Sequence, residues 1–438
     1  MNALSKIMKS RTLKEAVLNI PDSALDTAGI IAAIMFVLGP IIQFLHKYLS
    51  PVFPSLMRDI NPIVLLLGGL TLLLYAVKKI IIQNENPWQI LKRHYAIALA
   101  GVFAILMVVT TLLNSPSEIT IFGEAYRKEG LVGFLSYIVY FLLMAINRNE
   151  RQKKMLLCVF LSVTAFASCL QVYIHYACNI IIIEFTLHNS NHYGYLLATA
   201  IIVFAMQIII SRKILFKVLC GFGMFVTVLT LLINNTLGAE LAVCITCIAI
   251  CIIYSLSKGG FKVLTLIPLA ILAVTVAFGA LTSGHIRTSL LSNNGQLVND
   301  LGALSGLEAE ETTGIQRLEL WQYGGFYVAE KPFIGHGSDA TGDRLVIDVG
   351  SDRCHNEYIN YAVCFGIPAA VFYVAAVFAI YLRGLKHRKE LTDSNLIGLC
   401  AALAYLISAL VGNTMYYTAP YLFIMLGMGY FKKSENKA

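Results

Sequence analysis

Residues 95–113 read YAIALAGVFAILMVVTTLL. No charge interrupts this run. As a helix it would extend about 28 Å, at 1.5 Å per residue, close to the thickness of a bilayer's hydrocarbon core. The bilayer interior offers no water to the backbone, so a spanning segment must close its own hydrogen bonds, as a helix does locally. Runs of the same kind are placed at about 28–48, 62–82, 95–113, 130–147, 155–178, 192–210, 215–233, 238–256, 263–281, 357–382, 396–411 and 419–431. They do not alternate apolar with polar residues as barrel strands would. The sequence therefore predicts an all-α polytopic membrane protein of about twelve transmembrane helices. Composition agrees, with 58% hydrophobic and 13% charged residues, against roughly a quarter charged in soluble domains.

The net charge of +8 does not point to nucleic acid, because the basic residues cluster between apolar runs as a topology signal. With a cytoplasmic N-terminus, 24 of the 33 Lys and Arg fall on the inner side. They include Lys6, Lys9, Arg11 and Lys14 in a basic head, which is read as retained rather than as a cleaved signal peptide. Both termini are then cytoplasmic. Most cysteines lie within apolar runs, and Cys244, Cys247 and Cys251 share one helical face as packing residues. A disulfide between Cys178 and Cys354, the two near the outer face, is left open.

One outer segment is far longer than the rest. Three regions are expected: a membrane domain over 1–281, a long extracytoplasmic loop over 282–356, and C-terminal membrane helices with a cytoplasmic tail over 357–438. A loop of this length on a rigid scaffold is where chemistry is expected. Within it Ile315, Leu318 and Trp321 recur at helical spacing, ahead of the kink-prone pair Gly324–Gly325. They predict a short amphipathic helix at the membrane surface, ended at Lys331–Pro332.

The candidate residues gather at the outer face. His355, in Cys354-His355-Asn356-Glu357-Tyr358, stands where the loop enters the tenth span. Its imidazole suits a proton acceptor for a sugar hydroxyl, or else a helix cap or a bond to a nearby carbonyl. Arg317, in Gly314-Ile315-Gln316-Arg317, suits bidentate phosphate pairing, or snorkelling to headgroups. The same two readings apply to Arg127, which sits on the outer side against the charge bias. Arg344 and Arg353 are further candidates. Glu240, near the start of the eighth span, is a carboxylate at a depth where it marks a cavity, with an arginine as the expected partner. His175 is read as a satisfied interfacial residue. His188 and His192 are spaced as a metal pair would be, but no third ligand accompanies them, so no metal site is expected. The outer aspartates, among them Asp339 and Asp352, form no DxD pair, which argues against a Mg²⁺-dependent nucleotide-sugar transferase.

Four elements occur in order between two spans: Gly314-Ile-Gln-Arg317 with Trp321; Lys331-Pro332-Phe-Ile-Gly335-His336-Gly337; His355-Asn356-Glu357-Tyr358-Ile359; and Phe365-Gly366-Ile367-Pro368. This series resembles the O-antigen ligase and polymerase superfamily of bacterial membrane glycosyltransferases. Weaker similarities lie at Phe122–Gly130, Asn189–Tyr193 and Asn235–Ala239, where Leu237 stands in place of an arginine that many members carry. The resemblance implies a GT-C-like architecture in the bacterial cytoplasmic membrane. It implies transfer of a glycan from an undecaprenyl-diphosphate carrier to a hydroxyl of a glycan, lipid or protein acceptor, without nucleotide, metal or other cofactor. By motif, His355 is the expected catalytic histidine and Arg317 a pyrophosphate-binding arginine, with Arg127 a second. Direct inverting displacement is expected, since no second carboxylate suits a covalent intermediate. A transporter or flippase for lipid-linked glycan is the alternative. It would favour inverted repeats with broken helices at mid-membrane, and no repeat stands out. A peptidoglycan-type polymerase is a third reading, but it would use a carboxylate where this chain has His355.

Overall fold

The structure, a computed structural model, describes residues 3–39, 56–124, 127–180, 189–258, 263–304, 313–413 and 415–432. His188 and most of the second half of the first expected span lie outside them. Among the described residues all regular structure is helical. The N-terminal third holds α1 (Ala3–Met8), α2 (Leu13–Asn19), α3 (Asp22–Val37), α4 (Leu56–Ala76), α5 (Pro87–Arg93), α6 (Tyr95–Leu113), α7 (Glu118–Phe122) and α8 (Leu131–Ile146). α4 runs on into a π-helical turn, Val77–Ile82. The middle holds α9 (Glu150–Cys178), α10 (Ser190–Ile210), α11 (Ile214–Asn234), α12 (Leu237–Lys258) and α13 (Ile267–Thr282). The long loop and the C-terminal region form α14 (Gly284–Leu304), α15 (Thr313–Glu330), α16 (Gly342–Val349), α17 (Glu357–Lys386), α18 (Asp393–Ser408) and α19 (Ala419–Gly429).

Among the described residues eight helices are long and apolar enough to cross a membrane, or nine if the bent pair α2–α3 is one span. Three shorter apolar helices, α8, α18 and α19, occupy the positions of three further expected spans. α19 has 11 residues, about 16 Å of helix, which falls short of the hydrocarbon thickness. Their shortness goes with burial inside the bundle. Gly398 of α18 meets the backbone of α19, where an added Cβ would lie 2.5 Å from the Met425 carbonyl. Gly427 of α19 meets α8 in the same way, 2.4 Å from the Phe141 carbonyl. Lipid tails are as apolar as leucine, so helices in a bilayer associate through close packing, and small residues at the contact permit it.

α10 is the central post. Of its apolar window 94% is buried, against 33% for α6 and 22% for the Val263–Thr282 span, so protein surrounds α10 while lipid can reach those two. It packs on α11, α12 and α18, and Gly194 lets it approach Thr236 and Ala239 at the start of α12.

The expected long loop is largely helical. The surface helix read from Ile315, Leu318 and Trp321 is α15, which ends at Glu330 just before Lys331–Pro332. Gly324 does not break it. An added Cβ there would meet Ile359 at 2.7 Å and the Cys354 Sγ at 2.9 Å, so this glycine is a contact point with α17 and the segment before it. α14 was not read from the sequence, where polar residues such as Asn293, Asn294, Gln296 and Asn299 obscure its helical pattern. Cys178 is exposed, Cys354 is buried and both are free, so the disulfide left open by the sequence is not formed.

Candidate active site

The site begins with a tight loop after α7. A capping box of Ser117 and Thr120 starts that short helix, and Gly123, at φ +82°, ends it. The chain then folds back on itself. A Cβ on Gly130 would sit 2.3 Å from the Gly123 nitrogen, and one on Gly123 would sit 2.3 Å from the Glu129 nitrogen. Only glycine fits at either position. The closed loop places Arg127 and Glu129 in the interior, both buried.

Arg127 grips Asp352 with a two-pronged ion pair, Nε to Oδ2 and Nη2 to Oδ1, each 2.7 Å. Burial alone would raise the Asp352 pKa, but the hydrogen bond and charge of Arg127 prevail and hold it below the usual carboxylate value. The Arg127 Nη1 lies 3.1 Å from the His192 Nε2, at the start of α10. A guanidinium only donates, so Nε2 is the acceptor and the ring hydrogen sits on Nδ1.

Arg353 continues the network. It is 2% exposed and pairs with Asp339, while its Nη1 donates to the Asp352 carbonyl at 2.9 Å. The other oxygen of Asp339 accepts from the Glu124 backbone at 2.9 Å. Three distant segments, at 124 and 127–129, at 338–341 and at 352–356, are thereby tied into one body. Buried charges persist when each is paired and hydrogen-bonded, and Asp339 and Asp352 supply those pairs.

His355 sits at the edge of this body in the left-handed region, at φ +49°, a conformation that costs a non-glycine residue about 1–2 kcal/mol. Its neighbours fix it there. Trp321 Nε1 of α15 donates to the His355 carbonyl at 3.4 Å. The next residue, Asn356, caps α17 by accepting from the Tyr358 and Ile359 nitrogens, and its amide donates to the Leu410 carbonyl at 3.0 Å. The Glu357 nitrogen donates to the Ala409 carbonyl at 3.0 Å. Capping thus falls to Asn356, and the His355 ring is left for other work. Its Nδ1 has no hydrogen-bond partner among the described residues. Burial, then the positive charges of Arg317 and Arg127, lower its pKa from 6.5 to about 4. At neutral pH it is an uncharged imidazole within the electric field of two guanidinium groups.

The remaining motif elements form a lock. α17 breaks at Gly366, with φ +84° and ψ +164°. Into the break fits the turn after α15: the Ile367 nitrogen donates to the Pro332 carbonyl at 2.7 Å, the His336 nitrogen to the Val363 carbonyl at 2.8 Å, and the Gly337 nitrogen to the Cys364 carbonyl at 2.9 Å. Cβ atoms on Gly335 or Gly366 would stand 2.5 and 2.4 Å from opposing backbone. The P-x-x-G-x-G turn and the F-G-I-P break are two sides of one contact.

The site residues read from the sequence separate into two groups. Arg127, Arg353 and His355 belong to the cluster just described, and Arg317, on α15, acts on His355 electrostatically. Glu240 stands elsewhere, 3.4 Å from the amide of Asn293 on α14, and Asn293 also donates to Asn235 at 2.9 Å. Its partner is therefore an amide rather than the expected arginine, and among the described residues it forms no ion pair. Arg344 pairs with Glu330 at 3.0 Å on the surface. His175 bonds Ser283 at 3.0 Å through Nε2, while its buried Nδ1 has no hydrogen-bond partner among the described residues, so the expected satisfied histidine is satisfied at one ring nitrogen. Sequence reading missed Asp339, Asp352 and Glu129, and weighed His192 only against His188.

A protein-family model described as O-Antigen ligase matches residues 222–374, from α11 into α17. The match takes in Arg317, Asp339, Asp352, Arg353 and His355; Arg127 and His192 lie upstream of it. Among curated proteins no match is found. Over residues 222–374, then, the chain is similar to the O-antigen ligase family.

Proposed function

We propose that the protein transfers a glycan from an undecaprenyl-diphosphate carrier to an acceptor hydroxyl at the outer face of a bacterial cytoplasmic membrane, as a polysaccharide polymerase or ligase. One observation carries this reading: His355 offers an unpartnered ring nitrogen next to the positive charges of Arg317 and Arg127. The donor's lipid tail lies in the bilayer and its diphosphate at the interface. Arg317 holds that diphosphate and offsets the charge that develops on it as the sugar departs, a contribution made in the transition state. Arg127, already bound to Asp352, adds to the local potential. His355 accepts the proton of the attacking hydroxyl, and the bond to the anomeric carbon forms as the bond to the diphosphate breaks, with inversion.

The low pKa of His355 in the free protein fits this sequence of events. Burial and then the arginine charges depress it, and an arriving diphosphate offsets those charges, so His355 becomes a stronger base once the donor is bound. Arg353 and Asp339, wholly buried, act as positioning residues rather than substrate contacts. Glu240 supports α14 through Asn293 and stands outside the reacting centre. In this reading residues 1–281 and 357–438 form the membrane scaffold with both termini cytoplasmic, and residues 282–356 carry the outer elements.

The test uses purified protein and an undecaprenyl-diphosphate glycan, with wild type beside Arg317→Ala. A ladder of longer lipid-linked glycans from wild type alone identifies a polymerase. Product that forms only with an added acceptor identifies a ligase. Equal turnover by Arg317→Ala removes the diphosphate assignment.

A further inference from the structure

At the opposite end of the bundle a second feature stands apart from this chemistry. α6 runs from His94, its N-cap, to Asn114, whose amide holds the Ile334 carbonyl of the motif turn at 3.0 Å. The N-terminal end of α6 is thus about 28 Å from that turn, by helix rise. A cavity of about 180 Å³ opens there between α4, α5, α6, α8 and the segment after α19. Another of about 240 Å³ adjoins it, sharing Ala145, Arg148, Tyr430 and Lys432.

The lining of the first cavity is of two kinds. Lys79, Arg93, Arg148 and Lys432 contribute four cations, against the single carboxylate of Glu85 among the described lining residues. Glu85 lies 3.5 Å from Lys79, Asp22 is within electrostatic reach of Lys79 and Arg148, and Asp26 of Arg148 and Lys432. The rest of the wall is apolar, with Ile80, Ile90, Leu91 and Ile97. Leu91 is 43% exposed, so the apolar wall continues to the surface of the bundle. Lys79 and Ile80 belong to the π-helical turn, an irregularity that re-aims side chains and often marks function.

We propose that this cavity binds an anionic phospholipid of the leaflet at that end of the bundle. The phosphate headgroup sits among Lys79, Arg93, Arg148 and Lys432, and an acyl chain leaves along Leu91. Charge complementarity selects the headgroup, as basic pockets between membrane helices do. The apolar wall and its open lipid-facing edge select a lipid over a free anion. The site is independent of glycan transfer at His355, so either reading can fail without the other.

The full chain is purified in an uncharged detergent and its melting temperature followed with dioleoyl phosphatidylglycerol, dioleoyl phosphatidylcholine or inorganic phosphate. Phosphatidylglycerol raises the melting temperature by roughly 3 °C or more through ligand linkage, and the other two do little. The double variant Lys79→Gln, Lys432→Gln loses most of that increment. Native mass spectrometry of wild type, which needs no variant, retains phosphatidylglycerol under conditions that strip phosphatidylcholine. Equal shifts with phosphatidylcholine, an equal shift with inorganic phosphate, equal retention of the two lipids, or an undiminished phosphatidylglycerol shift in the double variant overturns the proposal.

Discussion

His355 carries the chemistry proposed here, and its pKa near 4 has a kinetic signature. The acid limb of kcat/KM reports the free protein, so it should inflect near that value rather than at 6.5, while the limb of kcat lies higher because bound diphosphate offsets the arginine charge. Coincident limbs at 6.5 in a pH profile would show that neither burial nor the arginine charges act on His355. Glu129 gives a separate signal. It is 1% exposed, and burial raises its pKa from 4.5 to about 8. Between those values the folded chain keeps a proton that the unfolded chain releases, so Glu129's contribution to stability falls as pH rises from about 4.5 to 8. Glu129→Gln should therefore flatten the fall in melting temperature over that window, and parallel curves for wild type and variant would contradict it. The sequence pointed to Arg127 because an outer arginine opposes the charge bias, but not to its partner. Asp352 lies 225 positions away, and local pattern carries no trace of a pairing at that distance.

Elements are held to one another by glycine contacts and by ion pairs, and each type predicts a defect. Gly366→Ala puts a side chain at φ +84° and 2.4 Å from the Phe333 carbonyl. Strain alone costs about 1–3 kcal/mol, and the clash adds to it. The variant should melt several degrees lower and lose transfer together with the motif turn's protection from hydrogen exchange. Asp352→Asn removes the carboxylate charge that grips Arg127. A fully buried pair would lose about 3–5 kcal/mol, and because the Asp352 side chain is 30% exposed, a loss of about 1–3 kcal/mol is expected in denaturant unfolding. The motif pieces were legible in order, from Arg317 to Pro368. That Gly335 and Gly366 face each other was not, since backbone bonds between segments leave no periodic signal. The same limit applies to α8, α18 and α19. An apolar run of 11–16 residues reads the same whether lipid or protein surrounds it, and only contacts such as Gly398 with Met425 distinguish the cases.

The whole molecule is an apolar helical scaffold with its candidate chemistry at one end and a basic cavity at the other. Hydropathy and charge bias were enough to read the membrane class and the long span-to-span segment, because the bilayer imposes length and polarity on every crossing. They were not enough to reveal α14, or the convergence of segments around 127, 192, 339 and 353 beside His355. The central claim is that His355 is the base of a glycan transfer, and it is tested by separating binding from turnover. Wild type and His355→Ala are reconstituted with an undecaprenyl-diphosphate glycan, and donor affinity and single-turnover transfer are measured on the same preparations. Loss of a general base predicts transfer slowed by about 10²–10⁴-fold, with donor affinity within a few-fold of wild type. Transfer at the wild-type rate, or a loss explained wholly by weakened donor binding, would contradict it.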